Sequence, residues 1–218
     1  MIQHNVKKIL EALPKTVTLV AATKSRSVEE IEEAIEAGIT IIGENYVQEA
    51  ELKFAHLTYP VIRHCIGHLQ RNKAKKAIEL FDLIETLDSL SLAKELSRHA
   101  VNAGKTMPVL IEINSGREPQ KNGVLPENLG SLLSSIHQLP NLSVQGLMTM
   151  GPLSEDLKSI KEAFLLTQKL FEQYKKEEIS GVSMEILSMG MSDSWQIAVE
   201  CGATMVRIGT ALFGPRKE

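Results

Sequence analysis

The chain has 218 residues, is 43% hydrophobic and 23% charged, and carries a formal net charge of −3. That is the balance of a packed globular protein, and the slight acidity with only nine aromatic residues argues against an electrostatic nucleic-acid binder. Two cysteines, Cys65 and Cys201, cannot build a disulfide framework, and no apolar run approaches the ~20 residues that span a bilayer.

The amino-terminal MIQHNVKKILEALP has helical apolar spacing but lacks the continuous apolar core of a secretory signal. Short apolar or β-branched runs then follow at 17–23, 39–43, 61–67, 83–87, 108–114, 143–148, 184–189 and 204–208. Most lack polar alternation, as strands buried on both faces do. Between them lie stretches with helical spacing, the first being SVEEIEEAIEAG with a glycine stop at Gly38; others begin near Asn45, Asn72, Ser89, Pro126, Ser154 and Ser192. Successive strand starts are 20 to 41 residues apart, enough for a strand, a helix and two loops. Eight such units predict one α/β domain over residues 1–218, a closed (β/α)8 barrel of the TIM type, with a doubly wound open sheet as the alternative. The chain is expected to be cytoplasmic, with no membrane or nucleic-acid partner.

In a closed barrel the active groups sit at the carboxyl ends of the strands. The run VTLVAATK delivers Lys24 there, an amine able to act as a nucleophile. SMGMSDSW (188–195) and VRIGT (206–210) follow the seventh and eighth strands, whose loops in this architecture frequently hold a phosphate. Gly190 and Gly209 would let backbone amides approach an anion, Ser192 and Thr210 would add hydroxyls, and Ser192 is expected to open the next helix. Arg207 places a permanent charge inside the last strand and needs a partner, either a ligand group or an internal carboxylate such as Glu112 or Glu185. GEN (43–45) reads locally as a helix cap, with ligand orientation as its other use. His64, Cys65 and His68 do not reproduce a zinc pattern, so no metal is expected, and the P-loop, GxSxG and GxGxxG signatures do not occur. The EEIEEAIEA face reads as solvated surface.

An amine, an anion cradle and a charged group between them define a small ligand carrying a carbonyl and a phosphate. Pyridoxal 5′-phosphate fits, and so does a phosphorylated sugar aldehyde of the kind used by Schiff-base aldolases; the residues alone leave both open.

Five segments carry a resemblance: ATKS (22–25), GENYVQEA (43–50), HCIGHLQRNK (64–73), GLMTM (146–150) and SMGMSDSWQIAVECGATMVRIGTALFG (188–214). Together they resemble the pyridoxal phosphate homeostasis proteins over nearly the whole chain. The resemblance implies a barrel like the alanine racemase amino-terminal domain and pyridoxal 5′-phosphate held as a Schiff base on Lys24. It further implies phosphate contacts from Ser192, Gly209 and Thr210, Arg207 facing the pyridine nitrogen, and Asn45 beside the ring. Storage, buffering or delivery of the cofactor, with apo-enzymes as recipients and the protein as a monomer, is the expected role.

A small amino-acid racemase is the alternative. Against it, an arginine opposite the pyridine nitrogen weakens the electron sink, although alanine racemases also use one. A two-base racemase also needs an acid/base on each face of its substrate. In the resembling racemases the second base is a tyrosine from a separate β-domain, and the chain ends four residues after Gly214. Of Tyr46, Tyr59 and Tyr174, only Tyr46 is expected near a strand mouth, where local packing is its simplest role.

Overall fold

The computed structural model describes residues 1–215. In chain order the elements are α1 (Ile2–Ala12), β1 (Thr18–Ala22), α2 (Val28–Glu36), β2 (Ile41–Glu44), α3 (Val47–Phe54), β3 (Ile62–Cys65), α4 (Ala74–Leu80), β4 (Leu83–Leu87), α5 (Leu90–Asn102), β5 (Met107–Glu112), α6 (Leu129–Ile136), β6 (Leu142–Thr149), α7 (Leu157–Lys175), β7 (Val182–Met189), α8 (Trp195–Glu200), β8 (Met205–Ile208) and α9 (Thr210–Phe213). The eight strands pair in sequence order, all parallel, and β8 closes onto β1 through the register Thr18↔Met205 to Ala21↔Ile208. The barrel expected from the strand spacing is the fold observed, and the open sheet is excluded.

Strand alternation divides the core into two kinds of packing. Along β1, Leu19 and Ala21 face the helices and join the large cluster between sheet and helix ring, while Val20 points inward with Ile41, Ile66 and Met205. Leu83, Leu110 and Met148 form a second inward group on the opposite side of the barrel. Inward positions nearer the carboxyl ends carry polar groups instead: His64, Glu85, Ser188 and Arg207 are all buried. The aliphatic floor therefore changes to a polar layer just below the mouth.

The helices start where local chemistry directs. Ser27 and Glu30 form a reciprocal capping box at α2, and Asp156 accepts from the amides of Lys158 and Ser159 at α7. The acidic face of α2 is not wholly solvated: Glu32 accepts from Thr58 and Glu36 from the Tyr59 hydroxyl, both in the loop before β3. No helix among the described residues is long and apolar enough to cross a membrane.

Candidate functional site

One cavity of about 350 Å³ lies at the carboxyl end of the barrel, and all six predicted ligand residues line it: Lys24, Asn45, Ser192, Arg207, Gly209 and Thr210. Ala22, Arg26, Ile66, Met150, Met191 and Asp193 complete the wall. Residues far apart in sequence converge there because each follows a strand of the same closed barrel.

Lys24 continues the inward side of β1, two residues beyond Ala22, while Thr23 turns toward the helix layer. Its Nζ lies 4.9 Å from the centroid of the Tyr46 ring, a cation–π contact. Ser25, the next residue, is held at φ 60, a left-handed backbone that non-glycine residues seldom adopt. Its N–H donates to Glu49 Oε1 at 2.6 Å. Beneath this turn Lys53 Nζ donates to the Thr23 carbonyl at 2.6 Å and to Glu44 Oε1 at 2.7 Å, and it pairs with Glu49 at 2.7 Å. The Thr23 hydroxyl also donates to Glu44 Oε1 at 2.7 Å.

Glu44 thus does not cap α3, as the local pattern of GEN suggested. The last residue of β2 points to the helix layer, where its buried carboxylate meets Lys53. Burial pushes its pKa up, against the opposing hydrogen bond and charge of Lys53. Tyr46 occupies the N-cap position without a side-chain bond, and Asn45 is left free to line the cavity.

At the opposite end Ser192 does not open a helix either. Helix α8 begins at Trp195, and the Ser194 hydroxyl accepts from Met191 N–H. Ser192 instead reaches across to the loop after β8, where its Oγ accepts from the amides of Gly209 at 3.3 Å and Ala211 at 3.2 Å. Two backbone N–H groups therefore converge on one oxygen, and the hydroxyl proton is left to donate elsewhere. A Cβ at Gly209 would come within 3.3 Å of the Ala22 carbonyl oxygen, on the same cavity wall.

Arg207 has neither of the carboxylate partners expected for it. Glu185 is exposed, and Glu112 acts on the guanidinium only through its charge. The partner is Glu85, in the middle of β4, with Nη1 3.7 Å from Oε2. Nη1 also donates to Ser188 Oγ at 2.5 Å, and Nη2 donates to the Thr149 carbonyl at 2.8 Å. His64 Nδ1 lies 2.8 Å from the other Glu85 oxygen. Burial alone would raise the Glu85 carboxyl, but the His64 hydrogen bond and charge and the Arg207 charge outweigh it and hold the pKa below its usual value. The guanidinium is fixed from below with one edge left on the cavity.

The remaining motif residues have structural work. His64 belongs to the Glu85 network, His68 pairs with Asp88 at 3.3 Å, and burial pushes the Cys65 thiol up to about 12. Arg26, which sequence reasoning missed, is buried and donates to the carbonyls of Phe213, Gly214 and Pro215, tying the turn after β1 to the end of α9. Lys24, Arg26 and Arg207 place three cations on the cavity wall against one carboxylate, Asp193. The arrangement suits an anionic ligand with an electrophilic group near Lys24.

Comparison with known proteins identifies the family and the fold. Residues 1–217 match the family model for the alanine racemase N-terminal domain. A pyridoxal phosphate homeostasis protein of Pasteurella multocida is 40% identical over 221 residues, spanning 99% of this chain and 94% of its own. PipY of Synechococcus elongatus PCC7942 superposes with a TM-score of 0.93 at 35% identity in its structure without PLP, covering 98% of this chain and 100% of its own. Its structure with PLP bound gives 0.90 at 34% identity with the same coverage. The barrel with Lys24 at the mouth of its first strand thus belongs to a member of the pyridoxal phosphate homeostasis protein family, built on the alanine racemase N-terminal domain.

Proposed function

We propose that the chain acts in the cytoplasm as a single-domain, monomeric carrier of pyridoxal 5′-phosphate, storing, buffering or delivering it to apo-enzymes. The observation that carries this reading is the joint placement of Lys24, Arg207, Ser192, Gly209 and Thr210 around one cavity. The residues fit the cofactor. Its phosphate would lie against Gly209 and the Ser192 and Thr210 hydroxyls, Arg207 would face the ring nitrogen, and Asn45 would lie beside the ring.

When bound, the cofactor supplies an aldehyde electrophile for the Lys24 amine. Lys53, Glu44 and Glu49 hold the turn that presents this amine, and the Glu85–Ser188 pair holds Arg207. Because a guanidinium stays protonated, Arg207 could only donate to a facing ring nitrogen and would keep it unprotonated.

A non-catalytic role is favoured over racemisation by the groups beside Lys24. Tyr46 presents the face of its ring, not its hydroxyl, to the amine. Tyr46 therefore does not offer a second acid/base opposed to Lys24.

Borohydride reduction of the protein with pyridoxal phosphate, followed by peptide mass spectrometry, tests the reading. The adduct is expected on Lys24 and lost in Lys24→Ala. An adduct elsewhere in the native protein, or turnover of amino acids in the common enzyme range of ~1–1000 per second, would overturn it.

A further inference from the structure

A second cavity of about 300 Å³ adjoins the first and shares Met150 and Met191 with it. Its apolar wall comes from Ile113, Pro152 and Leu153 with the two methionines, and its polar end holds Glu112, the last residue of β5. Glu112 continues the inward side of β5 above Leu110 and is only 7% exposed. Its Oε2 is buried and has no hydrogen-bond partner among the described residues. An unpaired buried carboxylate is costly, so a partner is expected.

The neighbouring cations are already engaged. Arg207 is bound to Ser188 and Thr149 and paired with Glu85. Lys121, on the wall of the second cavity, is paired with Glu118 at 2.5 Å and donates to the Gly151 carbonyl at 2.8 Å. Neither donates a hydrogen bond to Glu112 Oε2. The cavity therefore combines an aliphatic wall of small-molecule size with one carboxylate awaiting a cationic donor.

We propose that this second cavity binds a small aliphatic primary ammonium compound, its chain against Met150, Leu153 and Met191 and its nitrogen on Glu112. The site is distinct from the phosphate cradle and goes beyond the carrier role.

Binding should require the ionised carboxylate. Burial chiefly, with the Asp88 charge, raises the Glu112 pKa to about 7 against the opposing charge of Arg207. Asp88 faces it from the end of β4, where His68 is paired with it, and Arg207 faces it from β8. Lys121 with its Glu118 partner lies in the loop after β5.

The test uses n-butylammonium chloride as probe and n-butanol as its uncharged counterpart. Calorimetry is run on the full chain free of cofactor, and on the chain with the cofactor fixed by borohydride, so that amine exchange at Lys24 cannot contribute. Because the cofactor-free chain is measured separately, failure here is distinct from failure of the carrier reading. Saturable binding of the ammonium but not of the alcohol is expected above pH 7, falling about tenfold per pH unit below the Glu112 pKa. Glu112→Gln should weaken it by about tenfold or more. In protein labelled on methionine methyls, the probe should shift Met150 and Met191 and leave the buried Met107 still. Equal binding of the alcohol, undiminished binding by Glu112→Gln, shifts elsewhere, or no saturation would each overturn the proposal. Should Glu112→Gln fail to fold, the pH series and methyl shifts of the unsubstituted chain decide.

Discussion

Arg207 and Glu85 face each other across the barrel interior with Ser188 between them. The serine Oγ donates to Glu85 Oε2 at 2.6 Å and accepts from Arg207 Nη1 at 2.5 Å, while the two charged groups stay 3.7 Å apart. Each residue comes from a different strand, so the network ties β4, β7 and β8 together below the cavity.

Removing one partner from such a buried pair strands the other charge. Glu85→Ala should destabilise the protein by about 3–5 kcal/mol in urea unfolding. Ser188→Ala, which removes a bridge but no charge, should cost about 1–3 kcal/mol. Equal small losses in both would show that the guanidinium finds another partner.

Glu112 makes stability depend on pH in the opposite sense to a salt-bridged carboxylate. Its pKa rises on folding from 4.5 to about 7, chiefly through burial. Between those values the native state holds a proton that the unfolded state has released. The contribution is therefore fully present below pH 4.5 and lost as pH rises through about 7. Glu112→Gln should remove this slope and gain on the order of 3 kcal/mol relative to the parent chain at pH 8. Urea midpoints of the two proteins across pH 5 to 8 check it, and parallel curves would refute it.

The fold was legible because parallel strands buried on both faces read as plain apolar runs. The run at 83–87 matches β4 to the residue, whereas β1 and β3 are shorter at both ends than their runs. That Lys24, Arg207 and the two glycine-bearing loops would meet at one cavity was legible because a barrel brings the carboxyl ends of its strands together. Partners were harder. Glu85 offered the same signal as Arg207, a charge inside a buried run, yet its pairing crosses the barrel and has no sequence spacing. Lys53 sits nine residues after Glu44 on a helix that reads as amphipathic, and only the turn of β2 into α3 brings them together. Ser192 was expected to cap its own helix, but its nearest amides belong to the loop after β8.

Lys53 should matter more than an ordinary helix lysine. It joins the Thr23 carbonyl, Glu44 and Glu49, all at the turn that presents Lys24. Lys53→Met keeps the aliphatic stem but leaves the buried Glu44 carboxylate without its cation, and a loss of about 3 kcal/mol is expected. If the turn positions the amine, this variant should also release pyridoxal phosphate faster on dialysis. Unchanged release with lowered stability would confine Lys53 to a structural part.

Gly67, just after β3, tests the backbone itself. A Cβ built there would lie 2.3 Å from the Asn45 carbonyl oxygen and 2.6 Å from its Cα. Both are main-chain atoms, so no rotamer change relieves the clash, and the segment carrying Asn45 must move away from the cavity. Gly67→Ala should cost about 1–3 kcal/mol and weaken cofactor retention together. Gly104→Ala provides the contrast. It forces an unfavourable φ of +63 but meets nothing within 4 Å, in a turn before β5. It should cost stability alone, about 1 kcal/mol, with the cofactor held as before. Equal retention in the two variants, measured by absorbance after dialysis, would show that the Asn45 segment does not help to hold the ligand.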